Sequence, residues 1–418
     1  MKTDILVAGG GSAGLAAAVS AARCGARVVL VERSGMLGGM ATSAHVHSIC
    51  GLYQLRSNDS DPLLDSNPGF PVEFARRLVR EGGARGPVRM GRLDVVLHRP
   101  SSFAHLADRY VQSLPELKVL LHTEITGVLS DGSGRIGSMT LRSRGCRSEW
   151  EPSAVIDTTG DAEIARFAGA ACERAPLQKL QRPAYIFSLG GVDHNALGDN
   201  GRMAIARAIS YAVSGGLLPA AALGIAFRVG VTPQEVWATI DLDADGLDAG
   251  DPQCLSHLEA HGREIAVTVT DFLKKDLEGF SSAFISAFPA RAGIRESYRV
   301  QGLAELTEQD ILTGARYQDE VAISSWPIEL RETAHGPKFR FPEGNRSCGI
   351  RLGCLRSQNI KNLFMAGRCI SSTHEAQAAA RVIGTCMATG EAAGKAAAES
   401  VAVRHQINPE REDPSEYR

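Results

Sequence analysis

Three groups of residues have types and spacings that could do chemistry. The first is Gly9, Gly11 and Gly14 in LVAGGGSAG, the G-x-G-x-x-G spacing. Such glycines allow a tight turn, close approach of backbone to a pyrophosphate, and close packing of the following helix. Ser12 and Ala13 lie where backbone N–H groups would open that helix and meet phosphate. The second group is ARAGIRESYR, in which Arg291, Arg295 and Arg299 bracket Glu296. A guanidinium fork matches a carboxylate, so Arg295 is a candidate clamp for an acidic substrate; an interdomain salt bridge is the plainer alternative, above all for Glu296. The third group is His45, His47 and Cys50 in MATSAHVHSIC, with His374 in STHEAQ. Imidazole can take or give a proton near neutrality. Two histidines two apart with no carboxylate nearby lack a metal's ligand set, and no metal is expected.

The elements around the glycines decide what they mean. DILVAG is a continuous apolar run, as a buried parallel strand requires. SAGLAAAVSAARCG has helical spacing and stops at Gly25. ARVVLVE is a second buried strand, ending on Glu32, 18 residues past Gly14, with Arg33 next. An acid at that distance accepts hydrogen bonds from ribose hydroxyls. A second glycine match, Gly132, Gly134 and Gly137 in DGSGRIG, lies between two strands, EITGVLS and SMTLRSRG. With no helix after it there is no anion site, and it reads as a hairpin turn. One dinucleotide site is expected, and no separate home for NAD(P)H.

A length of 418 residues predicts two domains, one of them discontinuous. The 45 Lys and Arg nearly balance the 47 Asp and Glu, which gives no broad basic field for nucleic acid or an anionic membrane. The longest apolar run, 215–227, is too short to span a bilayer and contains Pro219. MKTD enters a strand at once, so no secretory signal is expected. Nine scattered cysteines, with no C-x-x-C, read as reduced thiols of a cytoplasmic protein.

Further segments narrow the reading. RSGMLGGMATSA places Gly38, Gly39, Met40, Ala41 and Thr42 after Glu32. ELKVLLHTEITGVLS, AVIDTTGDAEIA and NIKNLFMAGRCISSTHEAQAAARVIGTCMATGEAAGKAAA follow in order. Together they resemble FAD-dependent oxidoreductases of the glutathione reductase structural class. The match is to a bacterial subgroup related to fumarate reductase and glucose-inhibited-division-type flavoproteins. That subgroup is marked by GG-x-A-T, D-T-T-G-D-A, G-I-R-E-S-x-R and N-L-x-x-A-G-R-C-I-S, and the resemblance runs from residue 1 to about 400. It implies FAD, with the Gly38–Thr42 stretch passing under the pyrophosphate and ribityl. It implies a strand pair holding Ile125 against the adenine, and Thr159, Gly160 and Asp161 closing over the nucleotide. Gly367 and Arg368 would form the turn at the ribityl. A long helix starting near STHEAQ and containing Ala378 would aim its N-terminus at the flavin pyrimidine ring. His374 in its first turn is then a candidate general base or a cation near N1. His47 would line the pocket beside the isoalloxazine; His45, His47 and Cys50 are possible covalent attachment points, with non-covalent FAD preferred. Two departures stand out: ELRET replaces an Asp-x-His common among members, and Arg368 stands where many flavoproteins have Asp.

The implied architecture is α/β: a Rossmann-like FAD-binding domain (1–175 and 345–405) with a parallel sheet and a β-hairpin or meander, plus a smaller α+β substrate domain (176–344) and a tail (406–418). Residues 203–216 and 255–280 read as helices, 281–290 as a strand, and 52–95 as a polar surface loop able to act as a lid. The function implied is hydride transfer from a small organic substrate to flavin N5, with O2 or another acceptor entering the same pocket. Alternatives are a flavin monooxygenase or halogenase, although the halogenase W-x-W-x-I-P is only partly kept in WPIEL, or an ene-reductase. A flavin-binding RNA-modification protein is disfavoured by the even charge.

Overall fold

The computed structural model describes residues 1–243, 248 and 250–407. Its larger body is built on five parallel strands. Lys2–Ala8 pairs with Val28–Val31 on one side, Ile5 opposite Val28, and with the second half of Cys146–Asp157 on the other, Ile5 opposite Ala154. Leu117–Leu120 and Leu363–Met365 extend the two flanks, also in parallel. The first half of Cys146–Asp157 leaves this sheet and pairs antiparallel with Ile136–Ser143, which pairs with Glu124–Ser130. DGSGRIG connects those last two strands as a hairpin, with Gly132 and Gly134 at positive φ, as expected.

Side chains of the first strand divide by alternation. Ile5 and Val7 join one buried cluster with Leu15 and Val19 of the helix Ser12–Arg23 and Met387 and Ala393 of the helix Ile383–Ile407. Leu6 and Ala8 join another with Met139, Trp150 and Met365 on the opposite face. A strand covered on both faces needs no polar positions, which is why DILVAG reads as an unbroken apolar run.

The smaller body is an antiparallel sheet ordered Ala226–Val229, Val236–Asp241, Ala184–Gly190, Phe284–Ala287. Tyr185, Phe187, Ala238 and Ile240 bury one face against the helices Asp199–Ser214 and Pro252–Asp276. Both helices fall where their periodicity places them, and 281–290 narrows to the strand Phe284–Ala287. The other face carries Ala184, Ile186 and Trp237 and turns towards the larger body. Leu306, Ile311, Ala322 and Ile328, placed by the sequence in the smaller domain, belong to the large cluster around the parallel sheet. Of the tail, residues 408–418 lie outside the described residues.

The expectation of a surface loop over 52–95 is corrected. The first part, up to and including the polar SNDSDPLLDSNPG stretch, is irregular. The helix Phe70–Arg80 buries Phe70, Phe74 and Leu78 in the large cluster. Ala84–Met90 and Leu93–His98 form a three-stranded sheet with Ser48–Ile49, and Leu93–His98 is buried throughout. FPVEFARRLVR has an apolar face at helical spacing and LDVVLH is a short apolar run; the polar stretch before them obscures both signals.

Candidate functional site

A cavity of ≈ 1050 Å³ lies between the parallel sheet, the three-stranded sheet and the open face of the smaller sheet. Gly9, Gly11, Ser12 and Ala13 form part of its wall. Gly9 has φ +100, and Gly14 stands behind it, where a Cβ would come 1.8 Å from the Gly9 oxygen. The helix Ser12–Arg23 is preceded by Gly11 with no side-chain cap, which leaves its first N–H groups for an occupant of the cavity. The glycine pair lies against this turn: Gly38 N donates to Gly10 O at 2.8 Å. Gly39 and Met40 reach the cavity wall, whereas Gly38 stays behind it, and Ala41 and Thr42 are buried, Thr42 Oγ1 donating to Leu37 O.

Glu32 also lines the cavity. Its Oε2 accepts from Gly10 N at 2.7 Å, and its Oε1 from Ser34 N and Oγ at 2.8 and 2.7 Å. Oε2 keeps one lone pair for a hydroxyl donor. Ile125, Thr159, Gly160, Gly367 and Arg368 are in the wall as well. So is Arg33, which lies 3.9 Å from Asp161 and 3.7 Å from Glu163. Asp161 is not in the wall; it accepts from Arg368 at 2.7 Å and Ser297 Oγ at 2.6 Å and so aims the Arg368 guanidinium.

The expected single helix from His374 is corrected. His374–Ala380 is a short helix that closes at Arg381, and a second helix runs over Ile383–Ile407. Arg381, Val382, Ile383 and Cys386, at the junction, face the cavity; Ala378 is fully buried and does not. His374 is also outside the wall. Its Nδ1 donates to Glu296 Oε1 at 2.8 Å, and the same oxygen takes Arg299 at 2.7 Å. Burial alone would lower the His374 pKa, but Glu296 raises it above 6.5.

The three arginines of ARAGIRESYR have separate surroundings. Arg299 belongs to Glu296 and also donates from Nε to Ser372 O. Arg295 reaches the cavity but is ion-paired with buried Asp241 at 2.8 Å; burial brings its pKa down to about 10. Arg291 lines the cavity close to Gly39, with no carboxylate partner among the described residues and a buried Nε lacking a hydrogen bond.

Under the smaller sheet, His47 is buried in the cavity wall. Its Nδ1 donates to His45 O at 3.3 Å, and Nε2 has no partner among the described residues. The ring stacks on Trp237, centroids 5.1 Å apart and planes 14° apart, while His45 meets the same indole edge-on. Burial, then the nearby Arg228 charge, lowers the His47 pKa to about 3. Cys50 lines the wall beside it; burial, then Glu329, raises its thiol to about 11. Asp241 bridges Arg295 and Arg331, and Glu329 takes the Nε of Arg331 at 2.8 Å. Burial would raise the Glu329 pKa, but Arg331 and Arg381 hold it down at about 2.

A model of the FAD dependent oxidoreductase family matches residues 4–416. The chain belongs to this family. FAD is its cofactor and it is an oxidoreductase. No curated protein matches the chain. Solved structures similar to this flavoenzyme include a geranylgeranyl bacteriochlorophyll reductase-like protein from Thermoplasma acidophilum. That pair is 14% identical, covering 97% of this chain and 79% of the other, with TM-score 0.46. p-Nitrophenol 4-monooxygenase PnpA from Pseudomonas putida DLL-E4 is 12% identical, covering 72% and 70%, with TM-score 0.43. The flavin-dependent brominase Bmp2 is 11% identical, covering 96% and 80%, with TM-score 0.49.

The donor set of the flavoenzyme's cavity fits FAD. An uncapped helix start meets a pyrophosphate, a carboxylate with a spare lone pair meets a ribose hydroxyl, and Ile125 offers an apolar surface to a base. Sequence reasoning missed Trp237, Arg228, Glu329 and Arg381 in the same wall or against it. Strand alternation could have found two of them. In AFRV, Phe227 packs in the small core and Arg228 points the other way; in VWATID, Trp237 does the same.

Proposed function

We propose that the enzyme oxidises a small organic substrate bound between the flavin and the His47–Trp237 face, and that it belongs to the subgroup marked by the four motifs quoted above. FAD, when bound, supplies the hydride acceptor. The observation that carries the reading is the His47 Nε2: a buried ring nitrogen in the cavity wall, with no partner, on an imidazole whose other nitrogen is tied to a backbone carbonyl. That tautomer presents a lone pair to the cavity. Burial and Arg228 keep the ring neutral, which leaves Nε2 free to take the proton of a substrate O–H or N–H as hydride leaves the adjacent carbon, while the same burial and charge make it a weak base until the Arg228 charge is offset. Trp237 fixes the ring plane. The strand pair holding Ile125, the glycine turn, Glu32, Thr159, Gly160, Gly367 and Arg368 hold the cofactor, and Asp161 orients Arg368. His374, outside the wall, supports the start of its helix through Glu296. Cys50, with its thiol held protonated, is a poor attachment point, and FAD is bound without a covalent link. O2 or another acceptor entering the same cavity reoxidises the enzyme.

The test is anaerobic mixing of oxidised enzyme with candidate substrates, followed at the flavin's 450 nm band (roughly its oxidised maximum). In His47→Gln, bleaching should slow about 10²–10⁴-fold while FAD stays bound. Bleaching at the wild-type rate in that variant sinks the assigned base. Product carrying an oxygen atom from O2, formed only with added NAD(P)H, would make the enzyme a monooxygenase instead.

A further inference from the structure

We propose that Arg228 and Arg381 anchor the carboxylate of an organic-acid substrate whose apolar body lies against Leu93, Val95, Leu97 and Trp326. This rests on the reading of the cavity as the substrate site. Six arginines reach the part of the cavity roofed by the smaller sheet: Arg85, Arg202, Arg228, Arg295, Arg331 and Arg381. Two carboxylates, Asp241 and Glu329, answer them, and their short ion pairs go to Arg295 and Arg331. Arg85 and Arg202 donate to backbone oxygens, of Gly230 and Leu197.

Arg228 and Arg381 differ from these. Among the described residues, the Arg228 side chain has neither an ion pair nor a hydrogen bond, and Arg228 hydrogen-bonds only through the strand pairing of its backbone. Among the same residues Arg381 has no carboxylate within 4.0 Å; its Nη2 donates to Gln181 Oε1 at 3.0 Å and Glu329 O at 3.3 Å, and its buried Nε finds no partner among them. Arg228 lies across the strand pair from Trp237, which stacks on His47, and the helix junction that carries Arg381 is tied to Cys50 O through Gly384 N, so both side chains line the same wall as His47 and Cys50. A guanidinium removed from bulk water without an anion is unfavourable, and a carboxylate is the planar, two-oxygen group that its fork fits. Next to this place the wall turns apolar. Leu93, Val95, Leu97, Trp326 and Val382 form one buried cluster, and the three strand residues and Trp326 face the cavity. An anionic head and an apolar body are thereby specified together. A carboxylate there also sets a negative charge near His47, which favours the ring taking up a proton.

The holoenzyme can be titrated by calorimetry with phenylacetate and octanoate, and with phenylacetamide and octan-1-ol as neutral counterparts. The carboxylates should bind and the neutral compounds should not. Arg228→Gln and Arg381→Gln should each weaken carboxylate binding roughly ten- to a hundredfold, the loss of a charge-assisted hydrogen bond, with bound flavin unchanged. Arg228→Met, which removes a cation that has no ion pair among the described residues, should fold with an undiminished melting temperature and show the same loss. Equal binding of the neutral compounds, no binding of either carboxylate, or unchanged binding in Arg228→Met overturns the proposal. His47→Gln separates the two readings. It should still bind carboxylates, so a failure of the proton acceptor leaves the anchor standing, and the reverse.

Discussion

Glu296 is shared by His374 and Arg299, each within 2.8 Å, in a site with almost no solvent. The consequence is a pH dependence of stability, not of catalysis. The folded pKa of His374 lies above its unfolded value of 6.5, so the pair's contribution is full below that value and is lost as pH rises through the folded one. Thermal melts at pH 6 and pH 9 should show His374→Gln losing more stability at pH 6 than at pH 9. A variant equally destabilised at both would remove the pair as the cause. The same residue shows how far sequence could see. STHEAQ gives a helix start, and Thr373 does cap it, accepting from Ala376 N. What the histidine touches depends on residue 296, brought to it by tertiary folding. The glycine motif was legible in full because its signal is local: strand, turn, helix, strand and acid lie within 32 residues.

At the scale of elements, the alanine-rich stretch after Thr373 reads as one helix, and nothing in its composition marks a break. The break at Arg381 is tertiary. Gly384 N donates to Cys50 O at 2.8 Å, which pulls the second helix onto the start of the three-stranded sheet. That second helix then lies on the helix Ser12–Arg23. A Cβ at Gly390 would come 2.1 Å from Ala13 O and one at Gly394 2.3 Å from Ala17 O, so the backbones meet without side chains between them. Gly390→Val should push apart the helix that carries the phosphate-facing turn. The expected result is a loss of about 1–3 kcal/mol and weaker FAD retention on gel filtration. Full retention with an unchanged melting temperature would mean that the interface can yield. The roofing sheet was less legible than these helices. Its strands pair between residues 184 and 287, and only the pairing makes Arg228, Trp237 and Thr239 neighbours on one face.

For the whole molecule, the formal net charge is −2, yet among the described residues ten arginines and four glutamates, with no lysine or aspartate, line the cavity. The summed field of such a cleft draws in anions even when the protein as a whole is near neutral. Binding of phenylacetate to the holoenzyme should therefore weaken several-fold between about 20 and 500 mM salt, as the Debye length shortens. Insensitivity to salt would mean that the carboxylate responds only to contact, not to the cleft as a whole. Sequence totals concealed this asymmetry, because the arginines lie scattered from residue 33 to 381 and only folding collects them.

The helix Ser12–Arg23 and the helix Ile383–Ile407 are neighbours in space but far apart in order of synthesis. A ribosome makes the phosphate-facing turn well before its covering helix, with a gap on the order of half a minute. Until then the buried alanines of the first helix, Ala16 to Ala18 among them, have no cover. Capture of FAD thus waits for the covering helix, and the nascent chain must be kept from sticking to its neighbours until then.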